Sequence, residues 1–386
     1  MKYKNRKKIL FIANILTHHK IFNDGIIQNM AKKGFDVKVI AHKDKNHPSY
    51  QRKEIEFIEW PLKRGSKNIF AEIRSLWLLL KIIKKENPDI VHNFTIKANI
   101  YGTISAKLLN TKKIINTITG LGYIYTDQKI TTLPLRLLAK LVWISSMNMS
   151  NLIIFMNKTD MKVMGKFLSV KKIVIPGHGI DEIFYSKKNT DKEKVKKIKK
   201  EILLKKNEIV ITTIGRLIEH KGIYEFVKAA KIIRKKYPET KFVIVGATDL
   251  DNPTKIPDNQ LEDIKNQGII ILKDRTDVRE ILFLTNIFVL ATYMEAVPQV
   301  ILEAMSMKLP IVATDVSGCN ERVINGKNGY LAEVKNPISL AIEIERILKN
   351  KKEMKNMGQF SRSLIEQKYR KKMMTKIILK HYDKNI

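Results

Sequence analysis

Short apolar runs alternate with helical patterns along the first half of the chain. A continuous apolar run of about four to eight residues is typical of a buried strand, and apolar positions at helical spacing indicate a helix. The predicted strands cover residues 9–14, 36–41, 89–93, 114–119, 151–156 and 172–175. The predicted helices cover residues 25–33, 69–86, 100–109 and 134–147. This alternation predicts a parallel, doubly wound sheet.

The pattern stops at residues 187–207, which are mostly Lys, Glu, Asp and Asn, and then starts again. The second series of predicted strands covers residues 209–214, 241–246, 269–272, 287–290 and 310–313. Helical patterns cover residues 224–237, 300–307, 339–349 and 361–382. We therefore predict an α/β chain with two Rossmann-like domains, residues 1–185 and 186–369. The C-terminal helix, residues 370–386, is expected to pack back onto the first domain.

Two cations follow the first strand of the second domain. Ligands of open parallel sheets bind beyond the carboxyl ends of the strands. Here Gly215 permits a close backbone approach, and Arg216 and Lys221 project from the loop after it. Arg grips a diphosphate with a planar fork, and Lys acts as a mobile point charge. The spacing favours a diphosphate site, and the alternative is a solvated loop in a Lys-rich chain.

Two glutamates follow the predicted strand 287–290. Glu295 lies in a loop, Pro298 suits the first turn of a helix, and Glu303 falls on the second turn. The backbone amides around Ala296 and Val297 lie where the positive end of this helix would meet an anion. Carboxylates beside a phosphate site suit sugar hydroxyl groups, which donate hydrogen bonds to them. For Glu303 the alternative is an ordinary carboxylate on a helix surface.

A third motif runs from the predicted strand 310–313 through Gly318 to the turns at 325–330. Small residues and Asn-Gly pairs mark turns, so this segment is structural first. Cys319 lies within it and is not expected to be a nucleophile, because no suitable base is evident. A single cysteine also excludes a disulfide framework and a multi-thiolate zinc site, and it favours a reducing compartment.

The charge balance of the chain is strongly basic. Lys and Arg number 72 against 38 Asp and Glu, a net charge of +34. Such a balance attracts nucleic acid or an anionic bilayer, although AT-rich coding also produces sequences rich in Lys, Ile and Asn. No RNA-recognition signature, zinc finger or basic-zipper heptad occurs in the sequence. We therefore expect no nucleic-acid partner.

The N-terminus combines a basic segment, residues 2–8, with an apolar one, residues 9–16. This order mimics a signal peptide, but Asn14 interrupts the apolar run and a buried strand explains it better. The longest uncharged stretch, residues 141–157, contains several Ser and Asn residues. It is also shorter than the roughly 20 apolar residues that a membrane span needs, so we expect no transmembrane helix.

Together the three motifs resemble the retaining glycosyltransferases of family 4, which have the GT-B fold. The matching pieces are Gly215-Arg216-Leu217 with Lys221-Gly222, Glu295 and Glu303 in a Glu-seven-Glu arrangement, and residues 302–305, 313–315 and 318–321. Residues 93–102 and 119–123 are similar to the subgroup that extends lipid-linked saccharides. Within it, the closest resemblance is to N-acetylgalactosaminyltransferases that act on an undecaprenyl-diphosphate sugar.

The sequence departs from the family pattern at several positions, and no double Gly follows the first strand, where residues 14–20 take its place. Ala296 stands where Gly is usual after the first glutamate, and Gln299 stands where Arg is common. Thr119 occupies the position where many members carry a His near the donor sugar.

The resemblance implies two Rossmann-like domains that face each other across a cleft, and transfer of GalNAc or GlcNAc from a UDP-sugar with retention. Arg216 and Lys221 would stabilise the leaving diphosphate, Glu303 would hold the ribose, and Glu295 would orient the donor sugar. Arg216, Lys221 and Glu295 are the expected catalytic residues. The expected donor-binding residues are Gly215, Arg216, Lys221, Glu295, Ala296, Val297, Val300 and Glu303.

The acceptor is expected to be a saccharide on undecaprenyl diphosphate, bound by the first domain. The candidates follow first-domain strands, and each histidine has a structural alternative. They are His18, His19, Lys20, Lys97, Asn99, Thr119 and Gly120. No metal or other cofactor is implied, because the two cations neutralise the diphosphate; Asp249 and Asp251 have a metal-site spacing but lie in a Pro/Asn loop.

The predicted helix 69–86 interleaves basic residues and Trp77 with Leu and Ile. It is either a core helix with a solvated basic face or an interfacial contact, where Trp and Lys suit lipid headgroups. The second alternative predicts a cytoplasmic protein that is peripheral on the inner face of the membrane. Two rival functions stay open, a UDP-sugar epimerase of the same fold and a basic nucleic-acid-binding protein.

Overall fold

The computed structural model describes residues 6–19, 24–43, 55–62, 68–120, 133–249 and 252–383. The chain divides into two compact units. The first comprises Met1–His178 and Met374–Ile386, and the second comprises Gly179–Met373. The division falls between His178 and Gly179, whereas the sequence pattern predicted a boundary after residue 185.

The first unit contains a parallel sheet, as expected. Its strands in the described residues are β1 (Lys8–Ile15), β2 (Asp36–His42), β3 (Glu56–Glu59), β4 (Ile90–Phe94), β5 (Lys113–Ile118), β6 (Leu152–Phe155) and β7 (Lys172–Val174). They lie in the order β3-β2-β1-β4-β5-β6-β7. The described helices longer than three residues between them are α1 (Asp24–Lys32), α2 (Ile69–Glu86), α3 (Ile96–Leu108), α4 (Leu133–Asn148) and α5 (Lys158–Met164).

The second unit contains another parallel sheet. Its described strands are β8 (Ile209–Ile214), β9 (Thr240–Gly246), β10 (Ile270–Lys273), β11 (Ile287–Leu290), β12 (Ile311–Thr314) and β13 (Gly329–Ala332), in the order β10-β9-β8-β11-β12-β13. The helices that follow in the chain are α6 (Lys192–Glu201), α7 (Ile223–Lys236), α8 (Asp258–Asn266), α9 (Val278–Leu284), α10 (Gln299–Ser306), α11 (Pro337–Leu348), α12 (Lys351–Leu364) and α13 (Lys371–Asp383). Two Rossmann-like halves are therefore confirmed.

Alternation along the strands sends side chains to the two faces of each sheet. In β1, Phe11 packs with α1 and α13, whereas Leu10 and Ile12 pack with α2 and α3. In β8, Ile211 packs with α7 and α11, whereas Val210 packs with α6, α9 and α10. Both faces of each sheet are thus covered, which is why the strands are continuously apolar.

The helix α3 begins at Ile96, four residues before the predicted start at 100. The side chain of Asn14 accepts a hydrogen bond from the Ala98 amide at 3.2 Å, and the Asn14 amide donates to Thr95 Oγ1 at 3.2 Å. These contacts come from β1, a distant part of the sequence, so the local pattern did not reveal them.

The prediction of a single helix over residues 361–382 is wrong, because the helical structure is interrupted at Arg370. α12 ends at Leu364, a π-helical turn follows over Ile365–Tyr369, and Arg370 has extended backbone angles. The break is held by pairing with residue 180: the Ile180 amide donates to the Tyr369 carbonyl and the Lys371 amide to the Ile180 carbonyl, both at 2.8 Å. The helical periodicity of the sequence continues through Arg370, so the periodicity did not predict this break.

Candidate functional site

The second sheet has a switch point at β8, which lies between β9 and β11. The helix after β8, α7, packs on one face, and the helix after β11, α10, packs on the other. The connections therefore diverge at the carboxyl ends of these strands, which is where open α/β sheets bind ligands. The cations and glutamates predicted from sequence all lie on these connections.

The loop after β8 lies directly against the loop after β11. Gly222 has a φ of +67°, and a Cβ there would collide with the Ala291 carbonyl, so only glycine fits. The amide of Tyr293 donates to the His220 carbonyl at 2.9 Å, and the Thr292 hydroxyl donates to the same carbonyl at 3.1 Å. The two loops are fixed to each other by these hydrogen bonds to the His220 carbonyl.

Within these loops, Lys221 and Glu295 form an ion pair. Their side chains are about one-fifth exposed, 19% and 21%, so the pair is open to a ligand and still shielded from bulk solvent. The aliphatic part of Lys221 lies beside Gly215, where an added Cβ would be 3.5 Å from it. Two residues 74 positions apart in sequence are thus brought together, which the sequence pattern did not predict.

Arg216 is more exposed than Lys221 and pairs with a different carboxylate. Its Nη1 lies 2.5 Å from Asp249 Oδ2. Asp249 is one of the two aspartates with metal-site spacing, and the other, Asp251, lies outside the described residues. In the described ranges, no group of three or more His, Cys, Asp or Glu side chains is arranged to hold a metal ion.

The Glu295 loop is braced from the β12 side as well. The Thr314 hydroxyl donates to the Thr292 carbonyl at 2.5 Å. Gly318 has a φ of +82°, and an added Cβ would lie 2.5 Å from the Glu295 carbonyl oxygen and 2.6 Å from that of Ala296. The loop that carries Glu295 is therefore contacted by the loop after β8 and by the turn after β12.

The remaining donor candidates sit at the start of α10. Ala296, Val297 and Val300 are half-buried. The Gln299 amide donates to the Val297 carbonyl at 2.8 Å, and Pro298 immediately precedes the first helical residue. The chain therefore turns sharply from the Glu295 loop into the helix that carries Glu303.

Glu303 lies on the second turn of α10 and is half-buried. Its carboxylate accepts a hydrogen bond from the Tyr185 hydroxyl, and burial raises the pKa of Glu303 to about 7. Burial and the charge of Glu303 also raise the pKa of the Tyr185 hydroxyl above its ordinary value. Tyr185 was not predicted, because it lies 118 positions before Glu303 and in no recognisable motif.

The first unit places a group of histidines at the carboxyl end of β1. His18 and His178 have ring centroids 6.2 Å apart, and the rings of His18 and His19 are 6.3 Å apart. Burial lowers the pKa of His18 to about 4 and that of His19 to about 3. The rings of His18 and His19 both lie against Phe94, and both imidazoles are uncharged at neutral pH.

His92, in β4, extends the group. Its Nε2 lies 2.7 Å from Thr117 Oγ1, and its Nδ1 contacts the Tyr382 hydroxyl. Burial, with the neighbouring His19 and His178, lowers the pKa of His92 well below its ordinary value. Neither His92 nor His178 was predicted, because each stands alone in the sequence.

The other acceptor candidates are spread over two elements. Lys97 and Asn99 lie on α3 rather than in a loop: Lys97 Nζ pairs with Glu72 at 2.7 Å, and the buried Asn99 donates to the Thr117 carbonyl at 3.1 Å. Thr119 and Gly120 directly follow β5 and are half-buried. Lys20 lies outside the described residues.

Two parts of the chain match glycosyltransferase families. "Glycosyl transferase 4-like" matches residues 8–157, and "Glycosyl transferases group 1" matches residues 194–364. The first match covers most of the unit with the histidines, and the second covers the loops that carry Lys221, Glu295 and Glu303. Each half of the chain thus has its own counterpart among glycosyltransferases.

Two curated relatives are similar over most of their length. One is the N,N'-diacetylbacillosaminyl-diphospho-undecaprenol alpha-1,3-N-acetylgalactosaminyltransferase of Campylobacter jejuni, 28% identical over 91% of this chain and 94% of that protein. The other is the UDP-Gal:alpha-D-GlcNAc-diphosphoundecaprenol alpha-1,3-galactosyltransferase of Escherichia coli, 29% identical over 82% of this chain and 81% of that protein.

A solved structure with the same fold is Alr3699/HepE of Anabaena in complex with UDP and glucose. The TM-score is 0.77 at 16% identity, over 98% of this chain and 100% of that chain. At this identity the match establishes the two-domain fold and leaves the ligand as a property of that protein.

Proposed function

We propose, on the premise that the chain is a glycosyltransferase with the paired domains of family 4 and the GT-B fold, that it extends a lipid-linked saccharide. The donor is a UDP-sugar carrying N-acetylgalactosamine or N-acetylglucosamine. The acceptor is a saccharide on undecaprenyl diphosphate, and the product serves surface polysaccharide or glycan assembly. The two relatives support this proposal, since both are named for substrates linked to undecaprenol through a diphosphate.

The observation that carries the proposal is the Lys221–Glu295 ion pair at the switch point of the second sheet. A partly shielded lysine held by a carboxylate is ready to exchange that partner for a stronger anion. A donor diphosphate offers two phosphate groups, and Arg216 lies on the same loop to grip it bidentately. We assign Lys221 and Arg216 to the diphosphate, Glu295 to the donor sugar and Glu303 to the ribose.

The transfer breaks the bond between the anomeric carbon and the UDP oxygen and forms a bond from that carbon to an acceptor oxygen. Negative charge grows on the departing diphosphate, where Lys221 and Arg216 stabilise it. The acceptor attacks from the face that the diphosphate leaves, and the diphosphate oxygen takes the hydroxyl proton. The anomeric configuration is then retained without a base from the protein.

The acceptor sugar is assigned to the first unit, near His18, Thr119 and Gly120. His18 is uncharged at neutral pH, because burial lowers its pKa to about 4. A neutral imidazole both donates and accepts hydrogen bonds, which suits sugar hydroxyls. Lys97 and Asn99 are assigned a supporting role, since their side chains bond to Glu72 and to the Thr117 carbonyl.

The helix α2 supports a peripheral contact with an anionic membrane surface. Phe70, Ile73 and Trp77 are 78%, 58% and 52% exposed and fall on one side of the helix, while Leu79 and Ile83 on the other side are buried. Lys81 Nζ lies 3.5 Å from the centre of the Trp77 ring. Exposed aromatic residues beside lysines suit the headgroup layer. None of the helices in the described part of the chain is long and apolar enough to cross a membrane.

Salt and alkaline washes test this membrane contact. Vesicles that contain anionic lipid should bind the protein at low salt and release it at high salt, because screening weakens basic contacts. Replacing Phe70 and Trp77 by Ser should weaken binding at low salt without unfolding the protein. Retention through both washes would contradict a peripheral contact.

One product analysis tests the proposed reaction. The protein is incubated with a panel of UDP-sugars and short-chain lipid-diphosphate saccharides, and products are identified by mass and by the anomeric configuration of the new linkage. An α-linked hexosamine on the lipid-linked saccharide is the expected product. Epimerised UDP-sugar without an acceptor would instead support the rival epimerase.

A further inference from the structure

Arg322 carries a buried charge that the proposed mechanism does not use. It lies in the turn after β12, and the residue is 1% exposed. Its Nη1 donates to the Gly318 carbonyl at 2.7 Å, whereas its Nε and Nη2 meet no acceptor among the described residues. A buried guanidinium with two nitrogens that meet no acceptor is costly. This cost points to a role for the charge itself rather than for packing.

Among the described residues, four titratable groups have charges that act on Arg322. They are Tyr369, Cys319, Glu321 and Glu295. Burial lowers the pKa of the Arg322 guanidinium below its ordinary value, although arginine remains protonated in proteins. Burial and the charge of Glu295 raise the pKa of the Cys319 thiol, so the thiol carries no charge at neutral pH. Glu295 and Glu321 are therefore negatively charged groups of the described chain that act on this cation.

The turn that carries Arg322 also supports the Glu295 loop. Gly318, whose carbonyl Arg322 holds, packs so closely on the Glu295 and Ala296 carbonyls that an added Cβ would collide with both. Arg322 thus lies behind the same loop that presents Glu295 to Lys221. The Glu295 carboxylate pairs with Lys221, and no residue in the described part of the chain accepts a hydrogen bond from Arg322 Nε or Nη2.

We propose that Arg322 is a positioning residue that acts as the second positive charge for Glu295 and so allows Lys221 to leave it for the donor diphosphate. The inference rests on the proposed function. Lys221 has to give up Glu295 when it binds the diphosphate, which would leave a partly buried carboxylate without a counter-charge. A buried guanidinium behind the loop offsets that loss, because charges in such surroundings are only weakly screened.

A double-mutant cycle with UDP as the probe tests this role. In the wild-type background, Arg322→Met should weaken UDP binding at least about tenfold, because a unit charge at an effective dielectric of about 20 is worth that much out to about 12 Å. In the Glu295→Gln background the same change should have little effect, since Lys221 no longer has to be released from a carboxylate. Calorimetry gives the four dissociation constants.

The cycle separates this role from others that Arg322 could have. Equal weakening in both backgrounds would overturn the proposal, because direct contact with UDP and simple structural support both predict it. An unchanged UDP affinity in the wild-type background would overturn it as well. If wild-type protein does not bind UDP, the proposed function itself fails, whatever Arg322 does.

Two further variants control for charge and for folding. Arg322→Lys keeps the charge and should bind UDP nearly as the wild type does. Arg346→Met is the matched control. Arg322 Cζ lies 6.0 Å from the Tyr369 ring centre, and Arg346 Cζ likewise lies 4.1 Å from the Tyr330 ring centre, but the Arg346 side chain is 59% exposed. This control should leave UDP affinity unchanged. If Arg322→Met folds poorly, Arg322→Gln takes its place in the same cycle, with the same expected result.

Discussion

The two sheets place opposite kinds of chemistry at equivalent positions. Each sheet has a central strand flanked by strands whose connections diverge, β1 in the first unit and β8 in the second. After β8 the chain presents charged side chains that are paired and partly exposed, such as Lys221 with Glu295. After β1 it presents His18 and His19, whose pKa values burial lowers until both are uncharged. Under the proposed function, one fold topology would serve a charged ligand in one unit and a neutral one in the other.

The difference teaches that topology locates a site, whereas burial and charge decide what it binds. A diphosphate needs cations that can exchange their partners, and the second unit holds such cations in ion pairs with carboxylates. Sugar hydroxyls need uncharged groups with both donor and acceptor capacity, and the first unit holds these. The following experiments test whether this division of chemistry between the two units is real.

Removing the charge of Lys221 should have the largest effect. Lys221→Ala should lower turnover by roughly 10²-fold or more, because the departing diphosphate loses a cation that stabilises its growing charge. Turnover is measured at saturating donor and acceptor. Lys236→Ala is the matched control, since Lys236 also forms an ion pair in this unit, with Glu345 at 3.3 Å, and it should be near normal. Near-normal turnover of Lys221→Ala would remove Lys221 from the catalytic machinery.

The two glutamates should separate in their effect on UDP binding. Glu303→Gln should weaken UDP at least about tenfold, since ribose hydroxyls lose a charged acceptor. Glu295→Gln should leave UDP affinity nearly intact while transfer falls steeply, because its contact is to the sugar being moved. Calorimetry with UDP alone and turnover measurements give both quantities. If Glu295→Gln weakens UDP as much as Glu303→Gln does, the two carboxylates share one role.

UDP binding should depend on pH through Glu303. Burial raises the pKa of Glu303 to about 7 in the free protein, and acceptance of ribose hydroxyls requires the carboxylate. Affinity should therefore rise about fivefold as pH increases from about 6 to 8. The phosphate of UDP also titrates near 6, so the comparison with Glu303→Gln is decisive. An identical pH profile in that variant would assign the whole dependence to UDP.

The smallest effect is expected in the first unit, and it should not reach UDP. His18→Ala should raise the acceptor KM about threefold, the scale of one neutral hydrogen bond, and leave UDP affinity unchanged. Steady-state kinetics with the acceptor varied and calorimetry with UDP measure the two effects. A large loss of UDP affinity in this variant would contradict the division between the units.

The sequence predicted the fold well where strands were buried on both faces. The predicted strands 209–214 and 287–290 match β8 and β11 because each is a continuous apolar run. The strand β3 was not predicted, since Glu56 and Glu59 leave only two apolar residues between them at the edge of the sheet. The polar helix α8 was not predicted either. Short or polar elements form through tertiary contacts that a local pattern does not contain.

The candidate site shows the same limit. Positions directly after strands, such as Arg216 and Glu295, were predictable because strand ends are visible in the sequence. The pairing of Lys221 with Glu295 and the contact of Tyr185 with Glu303 were not, since each joins distant segments through folding. Arg322 was not predicted, because a single arginine in a basic chain carries no local signal. Its burial is what distinguishes it.

The break at Arg370 has a practical consequence for dissecting the protein. The chain after it returns to the first unit, where Met374, Ile378 and Tyr382 pack into the core and Tyr382 bonds to His92. A gene fragment that ends at His178 would therefore encode an incomplete domain with an open apolar face. A circular permutant that joins residues 374–383 to this fragment would supply the missing helix. Such a permutant is the natural starting point for studying acceptor binding on an isolated domain.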